Sequence, residues 1–206
     1  TGPDHWEGTP EWARGDRYAD ETALGAIETF WRLFAARHRA RNVLFAYDLL
    51  NEPEIRWDTS ALREKWNVWL AKHYGSAARV AAAWNRDGQP LELVKFLPPA
   101  KDAPAGAELL DFQRFREAIA DEWTRRQVSA IKSADPDALV TVGLIQWSVP
   151  VALAGPFHYS AFRPERQAPL LDFMEIHFYP LARGFYAYAN DKDELQNLAY
   201  LECVVR

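Results

Sequence analysis

The sequence predicts an α/β protein with a parallel sheet, and three observations carry that expectation. Short apolar runs such as Val43–Tyr47 and Leu139–Ile145 read as buried strands. Between them, apolar residues recur at helical spacing, as in Phe112, Phe115, Ile119 and Trp123. Strands that alternate with helices are the pattern of parallel α/β architecture.

Taken in order, residues 1–19 read as loop, because Gly2, Pro3, Gly8 and Pro10 interrupt any period. Asp20 caps a helix whose apolar face is Leu24, Ile27, Trp31 and Phe34. A strand over 43–50 follows and closes on Asn51-Glu52-Pro53. Leu62, Trp66, Trp69, Leu70 and Tyr74 mark the next helix, with Gly75 as its C-cap. Ser76 caps a short helix that ends near Trp84, and residues 86–107, rich in Pro and Gly, read as extended loop. A long helix then runs from about Phe112 to Ile131 and stops at Asp135-Pro136. Leu139–Ile145 is the second strand, Leu170–Phe178 the third, and Asp191 or Asp193 starts the last helix. Residues 54–108 thus form a helical and loop insertion after the first strand.

Composition narrows the function. The 206 residues are 49% hydrophobic and 26% charged, ordinary for a globular protein. The net charge is −5 with no basic patch, which disfavours nucleic acid as a partner. No stretch approaches the roughly 20 apolar residues that span a bilayer. A single cysteine, Cys203, excludes an internal disulfide. The five histidines show no short metal-ligand spacing, and no glycine loop suits a phosphate, so neither metal nor cofactor is expected. Nine Trp, eight Tyr and eleven Phe are a dense aromatic set, and aromatic faces are common platforms for sugar rings.

The candidate chemistry lies at strand ends. Glu52 ends the first strand, where burial would raise its pKa as suits a general acid. Asn51 beside it could bind a substrate hydroxyl, provided the pleat breaks and lets both residues reach one site. A solvated turn is the alternative reading of the same tripeptide. His177 and Tyr179 share parity on the third strand and point to one side, with Glu175 deeper on that side. A core histidine is the alternative for His177. Gln146 and Trp147 end the second strand as a polar group beside an aromatic, and His5 and Trp6 lie in the first loop. Trp66, Trp69 and Trp84 sit at packing spacing and are assigned to core.

Tyr47-Asp48-Leu49-Leu50-Asn51-Glu52-Pro53, the strand Leu139–Ile145 and Ile176-His177-Phe178-Tyr179-Pro180 together resemble the fourth to sixth strands of clan A glycoside hydrolases. The Asn-Glu-Pro and His-Phe-Tyr-Pro segments look most like family five, the cellulase and mannanase group. The insertion Trp66-x-x-Trp69-Leu70, Tyr74-Gly75 and Ala83-Trp84-Asn85, followed by Asp111–Phe115, looks more like family forty-two β-galactosidases. The resemblance implies part of a (β/α)8 TIM barrel, with residues 1–206 as one incomplete catalytic domain. It implies a retaining hydrolase of β-linked glycosides in which Glu52 is the general acid/base and Asn51 binds the 2-hydroxyl. His177 and Tyr179 would line the subsite at the scissile bond, Tyr179 near the nucleophile. Gln146, Trp147, His5 and Trp6 are the further candidates for sugar contact. A retaining enzyme needs a second carboxylate about 5 to 5.5 Å from the first. No residue here matches it, so the resemblance places it beyond Arg206. A non-catalytic carbohydrate-binding relative is the alternative.

Overall fold

In order along the chain, the computed structural model has α1 (Glu21–His38), β1 (Tyr47–Asn51), α2 (Ser60–Tyr74), α3 (Ala77–Ala83), α4 (Ala107–Ala134), β2 (Val140–Leu144), α5 (Pro164–Gln167), β3 (Glu175–Ile176) and α6 (Asp191–Val205). It describes residues 15–39, 41, 44–86, 96–101, 103–148, 159–179 and 191–205. The chain divides into two compact units: one of residues 1–45 and 55–138, the other of 46–54 and 139–206.

The first unit is helical, and its boundaries follow the capping residues. The Asp20 carboxylate accepts from the Ala23 amide to start α1. Thr59 and Ser76 do the same for α2 and α3. Gly75 ends α2 at φ 77°, the left-handed cap that only glycine adopts without cost. Inside, Trp66 is fully buried, stacks on Trp69 and Trp84, and meets the edge of Phe112. Trp66 and Trp84 are core, as their spacing predicts, whereas Trp69 is only half-buried and covers Trp66 from the edge of the core. Asp111, buried beside them, accepts from the Tyr74 hydroxyl at 2.5 Å and the Trp84 indole at 2.9 Å, which ties α2, α3 and α4 together. Trp57 is packed too: its indole donates to the Pro99 carbonyl at 2.7 Å. Arg126 of α4 reaches Glu21 and Glu28 of α1.

The second unit holds a three-stranded parallel sheet in the order β1-β2-β3. Its central strand, Val140–Leu144, is buried throughout, as a strand flanked on both edges should be. Two strand boundaries differ from the sequence reading. Leu44 and Phe45 of the apolar run before β1 are not in the sheet: they are 41% and 80% exposed. Pairing begins at Tyr47, whose amide donates to the Leu139 carbonyl at 2.8 Å. The third strand is only two residues long rather than nine. Ala168–Leu170 is a 3-10 turn, and the bend after it is held to β2 largely by side chains. The Asp172 carboxylate accepts from the Val140 amide at 2.8 Å, and the Thr141 hydroxyl donates to the Phe173 carbonyl at 3.0 Å.

Candidate active site

The end of β1 is built around a bulge. Tyr47 and Asp48 lie opposite Val140 and Thr141, but Asn51 lies opposite Gly143, so β1 carries one extra residue between Asp48 and Asn51. Asp48 replaces the missing ladder bonds: its Oδ1 accepts from the Gly143 amide at 2.9 Å and the Leu50 amide at 3.3 Å. Pairing resumes where the Glu52 amide donates to the Gly143 carbonyl at 2.8 Å. Glu52 itself sits at φ 50°. That left-handed backbone costs a non-glycine residue about 1–2 kcal/mol, and strain of this kind clusters at functional sites. The pleat therefore does break here, through the bulge and the turned Glu52.

Two side chains from the segment after β3 meet Glu52. The Tyr179 hydroxyl donates to Glu52 Oε1 at 2.6 Å, and His177 Nδ1 lies 3.0 Å from the same oxygen. The far nitrogen of the imidazole, Nε2, is 3.5 Å from Glu175 Oε1. The shared parity of residues 175, 177 and 179 is thus realised on one side of the chain. Glu52 Oε2 makes no hydrogen bond among the described residues, and the Glu52 side chain is 24% exposed. One oxygen is held by two side chains, and the other accepts from none of the described residues.

The electrostatics correct an expectation. Partial burial does push the Glu52 carboxyl up, but the hydrogen bonds from Tyr179 and His177 outweigh it and hold the group below its ordinary value of 4.5. A proton on this carboxyl at neutral pH needs a further source of negative charge nearby.

Gly143 gives the site its room. A Cβ there would lie 2.9 Å from His177 Nε2 and 3.3 Å from Asp48 Oδ2. A glycine inside a strand rich in β-branched residues is a sequence signal for close approach. Asp48, which braces the bulge, carries no sequence signal beyond its place in the strand. Gln146 is placed differently from its expected role as a sugar-facing donor. It is 2% exposed, and its Oε1 accepts from the Tyr179 amide at 3.1 Å, so it stands behind Tyr179. Asn51 is exposed and makes no side-chain hydrogen bond among the described residues. Trp147 belongs to the 3-10 turn Gln146–Ser148; its side chain, like His5 and Trp6, lies outside the described residues. Among the described residues, no three His, Cys, Asp or Glu side chains gather as metal ligands. No described helix is long and apolar enough to cross a membrane.

Known structures share this fold. A cold-adapted β-galactosidase from Rahnella sp. R3 superposes with a TM-score of 0.69 at 14% identity, covering 84% of this chain and 24% of its own. A catalytic mutant of a GH42 β-galactosidase from G. stearothermophilus gives 0.70 at 16% identity, covering 89% and 27%. A β-galactosidase from the Antarctic haloarchaeon Halorubrum lacusprofundi gives 0.64 at 17% identity, covering 85% and 26%. The chain spans about a quarter of the length of these structures. No curated protein matches it. The likeness of the Asn-Glu-Pro and His-Phe-Tyr-Pro segments to family five finds no support in these comparisons, whereas the family forty-two likeness of the insertion does. Residues 18–203 match the glycoside hydrolase family 42 profile, described as beta-galactosidase, and the chain belongs to that family.

Proposed function

We propose that this chain carries the acid/base half of a retaining β-galactosidase, with Glu52 as the general acid/base. The observation behind the reading is the asymmetry of Glu52: Oε1 is fixed by Tyr179 and His177, and Oε2 has no hydrogen-bond partner among the described residues, which on this reading leaves it for the reacting atom. In the first step Glu52 gives its proton to the glycosidic oxygen as the sugar–oxygen bond breaks. In the second it takes a proton from the water that attacks the glycosyl intermediate. The nucleophile of the first step is a carboxylate that we place C-terminal to Arg206. Its negative charge supplies what the described residues do not: a like charge about 5 to 5.5 Å away that raises the pKa of Glu52 until the second carboxylate is consumed. On this reading β1, β2 and β3 are strands four to six of a (β/α)8 barrel, with residues 54–108 inserted after the first of them. Asn51 binds the 2-hydroxyl, and Trp147, His5 and Trp6 supply sugar-facing surface. The galactoside follows from the family.

In the full-length protein, Glu52→Gln is expected to lower turnover of substrates with poor leaving groups by about 10²–10⁴-fold. Activated aryl galactosides, which need no proton to depart, should lose much less in the bond-breaking step. Equal loss on both would count against the acid role. Residues 1–206 alone are expected to show no turnover. A non-catalytic sugar-binding relative is favoured by one observation, the depressed pKa of Glu52, since a fixed carboxylate suits hydroxyl binding. Galactoside binding by the full-length protein with no hydrolysis at any pH would select that reading.

A further inference from the structure

We propose that Gln146 and Tyr200 are positioning residues for the reactive carboxyl. Together they fix the backbone of Tyr179 so that its phenol stays on Glu52. The proposal rests on the reading of Glu52 as the acid/base.

The argument starts from where the sheet ends. β3 stops at Ile176, and the last ladder bond beyond it runs from the His177 amide to the Leu144 carbonyl at 2.7 Å. Tyr179 lies two residues further on, past the end of β2. Its amide would have no strand to pair with, and an amide left unpaired in a partly buried position is costly. Gln146 Oε1 takes that place at 3.1 Å, so a side chain continues the ladder where the backbone has turned away. Gln146 has the same problem one step later, because its own carbonyl sits in a 3-10 turn. The Tyr200 hydroxyl of α6 donates to it at 2.7 Å. Tyr200 also stacks on Phe178, the neighbour of Tyr179, with centroids 5.9 Å apart and planes 16° from parallel. Tyr200 of α6 thereby touches both the residue that pairs the Tyr179 amide and the residue that precedes Tyr179.

The links run in series to Glu52: Tyr200 to Gln146, Gln146 to the Tyr179 amide, and the Tyr179 phenol to Glu52 Oε1 at 2.6 Å. Gln146 is 2% exposed, so water does not compete for its oxygen. Burial pushes the Tyr200 hydroxyl up to about 12, which keeps it a donor across any working pH. Among the described residues, the groups that face Glu52 are Tyr179 and His177, with Glu175 behind the imidazole and Asp48 on β1 tied to the Gly143 amide. A small drift of the phenol, which leaves the fold intact, would remove a hydrogen bond that favours the ionised carboxyl.

The test is the pH profile of kcat/KM in the full-length protein. Its basic limb reports the general acid, and Glu52→Gln assigns that limb by abolishing it. Tyr179→Phe should move the limb upward by about one pH unit, the worth of one hydrogen bond to a charged group. Gln146→Leu should move it the same way by about half as much, and Tyr200→Phe by less. A merely structural role would lower kcat and leave the limb in place. If Gln146→Leu does not fold, Tyr200→Phe decides, because it keeps the ring and its stacking. A limb that moves in Tyr179→Phe but not in Gln146→Leu or Tyr200→Phe overturns the positioning role while the acid role stands. No movement in Tyr179→Phe overturns it too. A limb that persists in Glu52→Gln overturns the reading of Glu52 itself, and the positioning proposal with it.

Discussion

Asp111 in the helical unit and Glu52 in the strand unit are both carboxylates that accept from a tyrosine hydroxyl, at 2.5 Å and 2.6 Å. Their surroundings diverge from there. Asp111 is 4% exposed, with Tyr74 and Trp84 on Oδ2 and Arg114 3.6 Å from Oδ1, so both oxygens are engaged and neither faces solvent. Glu52 is 24% exposed, and both its partners converge on one oxygen. A carboxylate engaged on both oxygens joins helices. A carboxylate held on one oxygen and open on the other is oriented for something else. A tyrosine hydroxyl on the carboxylate does not separate the two cases; burial and the oxygen without a described partner do.

Exchanging the two acids should break that parallel in opposite directions. Asp111→Ala leaves the Tyr74 hydroxyl and the Trp84 indole without their acceptor and is expected to cost about 2–4 kcal/mol of stability, measurable by denaturant unfolding. Glu52→Gln keeps an acceptor oxygen and should stay within about 1 kcal/mol, while removing most activity on poor leaving groups. If Glu52→Gln destabilised the protein as much as Asp111→Ala, Glu52 would be a structural acid and the contrast would fail.

Gly143→Ala probes the strand unit more gently. The new Cβ would sit 2.9 Å from His177 Nε2, so the imidazole must move and its contact with Glu52 must lengthen. A cost of about 1–3 kcal/mol is expected from the overpacking. Activity in the full-length protein should fall further than that destabilisation explains. An unchanged rate would show that the His177 contact is dispensable.

The pattern of what the sequence revealed follows the same divide. Helix ends were legible because caps are local: Asp20, Ser76, Gly75 and Asp135 act on residues within a turn of themselves. That His177 and Tyr179 share a side was legible from parity, which is also local, but that both meet Glu52 was not: the resemblance put Tyr179 near the nucleophile, and its hydroxyl instead donates to Glu52. The extent of the strands was not. The Val43–Tyr47 run is apolar, yet pairing begins only where Leu139 offers a carbonyl, and hydrophobic pattern reports burial, not partners. The direction of the Glu52 pKa was misjudged for a related reason. Burial could be read from the strand, but the two donors that outweigh it arrive from 125 and 127 residues away. Gln146 was misplaced because a polar residue at a strand end reads alike whether it faces a ligand or the back of a loop.

pH should separate the units as well. The Glu52 carboxyl is held below 4.5, so its hydrogen bonds stabilise the folded state fully above that value, and the contribution is lost as pH falls below it. Burial, with help from Asp111, pushes the Tyr74 hydroxyl from 10 up to about 12, so its contribution is complete below pH 10 and lost as pH rises toward 12. Amide hydrogen exchange followed against pH should show protection around Glu52 weakening on the acid side and around Tyr74 on the alkaline side. Loss of both at the same extreme would mean that the two acids are not independent.

The smallest expected effect tests whether polar burial in the helical unit always has a purpose. Gln127 on α4 is 0% exposed, and neither its Oε1 nor its Nε2 has a hydrogen-bond partner among the described residues. A buried amide in that condition costs about 1–3 kcal/mol relative to one that is paired. Methionine has nearly the same length, adapts to irregular space and favours helix. Gln127→Met is therefore expected to stabilise the protein by about 1 kcal/mol, a rise of about 2–4 °C in Tm for a domain of this size. A fall instead would give Gln127 a polar partner of real worth. The helical unit would then depend on at least one more polar contact than the Asp111 junction and the α1–α4 ion pairs, and its contrast with the strand unit would narrow to the open oxygen of Glu52 alone.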